Sequence, residues 1–75
     1  MTLEISFEYE VQTQQWIADL SGIPNTASIH VYGNTQEEAA ANVKLAALQA
    51  VIWAVEDGEI AELDEIRFVQ TPVAA

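Results

Sequence analysis

Gly33-Asn34-Thr35-Gln36-Glu37-Glu38-Ala39 is where the chain changes its period, and the reading of this stretch decides the fold. Thr35 followed three residues later by Glu38 has the form of a capping box. The threonine hydroxyl accepts from the Glu38 amide while the Glu38 carboxylate reaches back to the Thr35 amide, so two otherwise orphaned donors are satisfied. Glu37 and Glu38 also stand at the positive end of the helix dipole. A helix is therefore expected from Gln36 to about Asp57, with Gly58 as its C-terminal stop.

Before this start the apolar residues recur at every second position. Leu3, Ile5, Phe7, Tyr9 and Val11 alternate with Glu4, Ser6, Glu8, Glu10 and Gln12, the pattern of a strand with one wet face. Thr13 and Gln14 form a short polar turn, and Gln15 to Leu20 reads as a second strand closing an antiparallel hairpin. Gly22, Pro24 and Asn25 make Ser21 to Thr26 a loop. Ala27, Ile29 and Val31 alternate with Ser28, His30 and Tyr32 in a third strand. Beyond the helix, Glu65 to Gln70 gives a fourth. The expectation is one α+β domain over residues 1–75, with a core of about 3–70 and a tail at 71–75. Its order is β-β-β-α-β, an antiparallel sheet with one long helix packed on one face.

Within the helix, successive residues at 100° intervals place Glu38, Asn42, Gln49 and Glu56 in one narrow polar stripe. Apart from Lys44 and the terminal acids, the rest of the circumference is apolar. Leu45, Leu48, Val51, Ile52 and Val55 form a stripe of large side chains suited to covering a sheet. Ala39, Ala40, Val43, Ala46, Ala47, Ala50 and Ala54 form a second stripe of small ones, with Trp53 at its margin. A sheet covers one side of a helix only, and small residues let a second helix approach closely. The protein interface is therefore expected at Val43, Ala46, Ala47, Ala50, Trp53 and Ala54, and its expected use is a homodimer or higher homo-oligomer, or the seating of a partner helix. Trp53 is the expected anchor.

Composition limits what such a domain does. A chain of 75 residues has a small core worth roughly 3 to 5 kcal/mol, and without cysteine it has neither disulfides nor thiolate metal sites to add to it. Twelve acidic residues against Lys44 and Arg67 give a net charge of −10. That field repels a phosphate backbone and anionic lipid, so direct nucleic-acid and membrane binding are not expected, whereas encounter with a basic protein is favoured. Met1 to Val11 lacks the basic and continuously apolar regions of a signal peptide, and the clean apolar run of the helix is short for a bilayer. The expected location is cytoplasmic.

Two further segments carry a family resemblance. Trp16-Ile17-Ala18-Asp19-Leu20-Ser21-Gly22, then Gly33 to Ala39, then an alanine-rich helix closing at Glu56-Asp57-Gly58-Glu59, resemble the HicB-like antitoxin family, over approximately Leu3 to Glu59. The resemblance implies a partial RNase H-like fold and a role in neutralising a small basic ribonuclease toxin by covering its catalytic face. The chain departs from the family pattern at Ser21, where a proline is expected before the glycine, and its 75 residues hold no counterpart of the DNA-binding domain that many members carry. The alternative is a self-associating structural or regulatory protein with no toxin partner.

Candidate chemistry is sparse. Glu4, Glu8 and Glu10 share one strand face and Asp19 stands on the neighbouring strand, the residue types that hold divalent ions in phosphodiester hydrolysis. Alternation with Leu3 to Val11 is also what a solvated strand face looks like. Asp57, Glu59, Glu62, Asp64 and Glu65 miss the spacing of a calcium loop. His30 has no second histidine and no cysteine to share a metal, and Gly22, Gly33 and Gly58 are too scattered for a phosphate loop. No catalytic residue, cofactor or metal is expected.

Overall fold

A computed structural model describes residues 1–60 and 65–71. The elements are β1 (Thr2–Glu10), β2 (Gln15–Ser21), β3 (Ile29–Gly33), α1 (Gln36–Glu56) and β4 (Arg67–Gln70). The α+β order is thus the one the alternating periods predict. Each strand differs from its sequence reading by one or two residues at an end, the third beginning at Ile29 rather than Ala27 and the fourth at Arg67 rather than Glu65. The expected tail begins inside the ordered fold, because the Thr71 amide donates to the Ile5 carbonyl at 2.8 Å. Its remaining residues, 72–75, lie outside the described ones, as do Glu62 and Asp64.

The four strands form one sheet in the order β3-β2-β1-β4. β1 pairs antiparallel with β2, and β2 antiparallel with β3, while β4 runs parallel to β1. The sheet is therefore mixed and not wholly antiparallel as expected, and the direction of β4 follows from connectivity. α1 carries the chain back along the sheet, so the strand that follows runs in the direction of β3 and therefore of β1. The first and fourth strands are laced at their ends by the Met1 ammonium, which donates to the Glu65 carbonyl at 2.8 Å, and by the Arg67 amide, which donates to the Met1 carbonyl at 2.9 Å.

The helix start is built as the capping motif requires, with one change. Thr35 accepts from the Glu38 amide at 3.0 Å, but the Glu38 carboxylate reaches the amide of Asn34, at 3.4 Å, rather than that of Thr35. At the other end Gly58 adopts φ +78°, and the amides of Gly58 and Glu59 donate to the carbonyls of Val55 and Ala54. These two bonds are a Schellman motif, which places Ile60 back against the core.

The core corrects the expected orientation of the helix. Ala39, Ala40, Val43, Ala47, Val51 and Ala54 are the buried positions of α1, and all but Ala40 join Leu3, Ile5, Ala18 and Leu20 of the sheet in one core cluster. The stripe of small residues therefore faces inward. Of the expected interface residues, Val43, Ala47 and Ala54 are core, Ala46 and Ala50 are half-buried, and Trp53 alone is well exposed. The physical reason is the distance of approach. The sheet supplies the large side chains and the helix lies close on β3 and β2. Gly33 records that closeness, for a Cβ there would stand 2.8 Å from the Ala39 Cα. Of the stripe of large residues only Val51 is buried, while Leu45, Leu48, Ile52 and Val55 point away from the sheet.

Candidate interaction surfaces

Two surfaces carry the side chains that the core does not use. The first is the sheet face opposite α1. Strand alternation delivers Glu4, Ser6, Glu8 and Glu10 from β1, Ile17 and Asp19 from β2, His30 and Tyr32 from β3, and Val69 from β4. The register sets Ser6, Asp19 and His30 in one row, with Glu8, Ile17 and Tyr32 in the next. His30 Nδ1 lies 3.5 Å from Asp19 Oδ1, both side chains being well exposed. No acid of this face sits directly across from another acid, which spreads the negative charge instead of concentrating it. Among the described residues no three histidine or acidic side chains converge as metal ligands.

Glu8 stands across from Ile17 with Glu10 diagonal to it, and Tyr32 extends this small apolar row to the β3 edge, so the acids lie along one side of it. Arg67 occupies the β4 margin and is engaged by the Glu65 carboxylate at 3.1 Å. The sequence singles out Glu8, Glu10 and His30 on this face. It does not single out Ile17 and Tyr32, whose place beside the acids depends on the β2–β3 register.

The second surface is the back of α1. Leu45 is 68% exposed and Ile52 51%, with Leu48 and Val55 about two-fifths exposed. Trp53, 59% exposed, stands apart from them beyond the polar stripe of Asn42, Gln49 and Glu56, on the side toward β3. There Trp53, Ala46, Ala50 and Ala54 line a shallow groove of about 420 Å³ with Ile29 and Thr26. Asn42 closes the same flank by donating from its amide to the Tyr32 carbonyl at 3.0 Å, which occupies one acceptor of the β3 edge. Of the six expected interface residues, Ala46, Ala50, Trp53 and Ala54 thus meet at this groove, and Val43 and Ala47 do not reach a surface. On the opposite flank the Lys44 ammonium sits 5.6 Å from the centre of the Phe68 ring.

Trp16 lies on the helix side of the sheet, packed against the core, with its ring 5.4 Å from that of Tyr9 at an edge-on 65°. It belongs to the fold and not to either surface. Against the expectation that its apolar run is short for a bilayer, α1 is long and apolar enough to pass as a membrane span by length and composition, with 33% of its most apolar window buried in the fold.

Comparison with protein-family models, with curated proteins and with solved structures gives no match for this chain.

Proposed function

We propose that this protein is a non-catalytic binding module of the HicB-like antitoxin kind, acting in the cytoplasm on a small basic protein such as a ribonuclease toxin. The observation that carries the reading is the acidic sheet face. Glu8 stands across from Ile17, Glu10 lies diagonal to it and Asp19 two residues along the same strand, with Tyr32 beside Ile17 at the β3 edge, on a sheet face that no helix covers among the described residues, in a chain of net charge −10. Opposite charge raises the encounter rate with a basic partner, and the apolar centre supplies area that excludes water once the two meet. The element order β-β-β-α-β is the one that the resemblance implies.

The test is titration of the full chain with the basic protein of about 60 to 90 residues expected from a neighbouring reading frame, followed by calorimetry. Binding is expected to weaken as salt rises, and Glu8→Lys with Glu10→Lys to weaken it by at least about tenfold. Failure of such a partner to bind, or binding indifferent to both charge reversals, removes the proposal. The second reading, a protein whose partner is its own copy, is favoured by the apolar back of α1.

A further inference from the structure

We propose that the back of α1 pairs with the same surface of a second copy, in an antiparallel helix-to-helix dimer. The argument begins with spacing. Ala41, Leu45, Leu48, Ile52 and Val55 succeed one another by four, three, four and three residues, and all five are exposed. That is the 3.5-residue repeat of a helix-packing seam, here roughly 20 Å long. The spacing has no role inside the monomer, whose core uses the other side of the helix. Among the described residues nothing covers it.

A second copy is the occupant that fits. The seam exposes on the order of 400 Å² of apolar surface, against about 500 Å² contributed by apolar atoms to one side of a standard homodimer interface. The seam is self-complementary, since its own positions from Leu45 to Val55 are uncharged and of similar volume, with Lys44 on its flank. Antiparallel pairing brings Leu48 against Ile52 of the second copy, and Leu45 against Val55 of the second copy, so that all four large side chains are covered. It also sets the two helix dipoles in opposite directions, whereas parallel pairing would align like ends. The dimer leaves both acidic sheet faces outward, so the inference stands independently of what those faces bind.

The full chain is examined by sedimentation velocity from about 1 to 200 µM, a range that brackets micromolar association. A monomer–dimer equilibrium is expected that tightens as salt rises, because each copy carries a charge of −10 and screening removes the repulsion. Binding to a basic partner has the opposite salt dependence, so the two proposals fail separately. Ile52→Glu is expected to raise the dissociation constant at least about 30-fold, while Val11→Glu, also exposed but remote from the helix, leaves it unchanged. The native chain has no cysteine, so Leu48→Cys mixed with Ile52→Cys reports orientation. Oxidation is expected to yield the mixed disulfide in excess over either like pair. A monomer at every concentration, association insensitive to Ile52→Glu, like pairs predominating, or seam-dependent partition onto phosphatidylcholine vesicles would each overturn the proposal.

Discussion

Replacing Gly33 by alanine tests whether the helix lies as close to the sheet as its small inward residues imply. The added Cβ would meet the Ala39 backbone nitrogen and stand 2.8 Å from the Ala39 Cα, where ordinary contact begins at 3.4 Å. Both obstacles are backbone, so no rotamer change relieves them and the first turn of α1 has to move away by at least about 0.6 Å. That nitrogen makes the first hydrogen bond of the helix, to the Thr35 carbonyl at 3.0 Å. Overpacking of this kind costs about 1 to 3 kcal/mol, and weakening the hydrogen bond adds about 0.5 to 1.5 kcal/mol. The expected loss is about 2 to 4 kcal/mol, most of what a core of this size supplies. Urea melts followed by far-ultraviolet circular dichroism, and by fluorescence in a Trp53→Phe background that leaves Trp16, the partner of Gly33 on β2, as the one tryptophan, measure it. Gly58→Ala is the matched comparison, because nothing lies within 4 Å of its Cβ and only the left-handed φ is penalised, at about 1 kcal/mol. A loss below about 0.5 kcal/mol at Gly33, or one smaller than at Gly58, would refute the close approach.

Three other substitutions probe the same frame. Ala47→Leu, at a fully buried position, is expected to cost about 1 to 3 kcal/mol, whereas Leu45→Ala on the outer side changes the stability of the monomer by less than about 0.5 kcal/mol, as paired thermal melts at concentrations too low for the dimer would show. The reverse order of these two losses would return the large stripe to the sheet. Thr35→Ala removes the acceptor for the Glu38 amide and is expected to cost about 1 kcal/mol by urea titration, with Thr35→Ser restoring most of it. Gln14 holds φ +56° at the end of the β1–β2 turn, so Gln14→Gly is expected to raise the melting temperature by a few degrees through relief of about 0.5 to 1 kcal/mol of backbone strain.

The element order was legible because each segment has a single period. Leu3 to Val11 alternates without a break, and the capping residues Thr35 and Glu38 stand where the period changes. The orientation of α1 was not legible for a specific reason. Angular counting separates a helix into stripes, but two of its three stripes here are apolar, and hydrophobicity alone does not choose between them. The choice is made by how much space the sheet leaves. Leu3, Ile5 and Leu20 fill the layer from below, so alanine is what fits from above. Gly33 was the one local sign of this, a glycine whose φ is ordinary and whose purpose is room. The groove at Trp53 and the row of Glu8, Ile17 and Tyr32 were hidden likewise, because each joins residues whose proximity depends on strand register rather than on sequence spacing.

The inverted helix also keeps the two proposed surfaces of a very acidic chain apart. With the small residues turned inward, the large aliphatic ones have no place except the back of α1, a seam without acids between Ala41 and Val55. The carboxylates of the strands stand on the far side of the sheet, with the fold between the two faces. A self-association at the seam then meets repulsion only from the chain's overall field, which salt screens, while attraction of a basic partner at the sheet is the part that salt weakens. Because the two surfaces lie on opposite sides, occupancy of one leaves the other free. A dimer would therefore present its acidic faces in pairs, and a basic partner with two contact sites would gain effective concentration from the second face without any new contact in the first. Ile52→Glu separates these contributions, since it removes the gain for a two-site partner while leaving the affinity of a single sheet face unchanged.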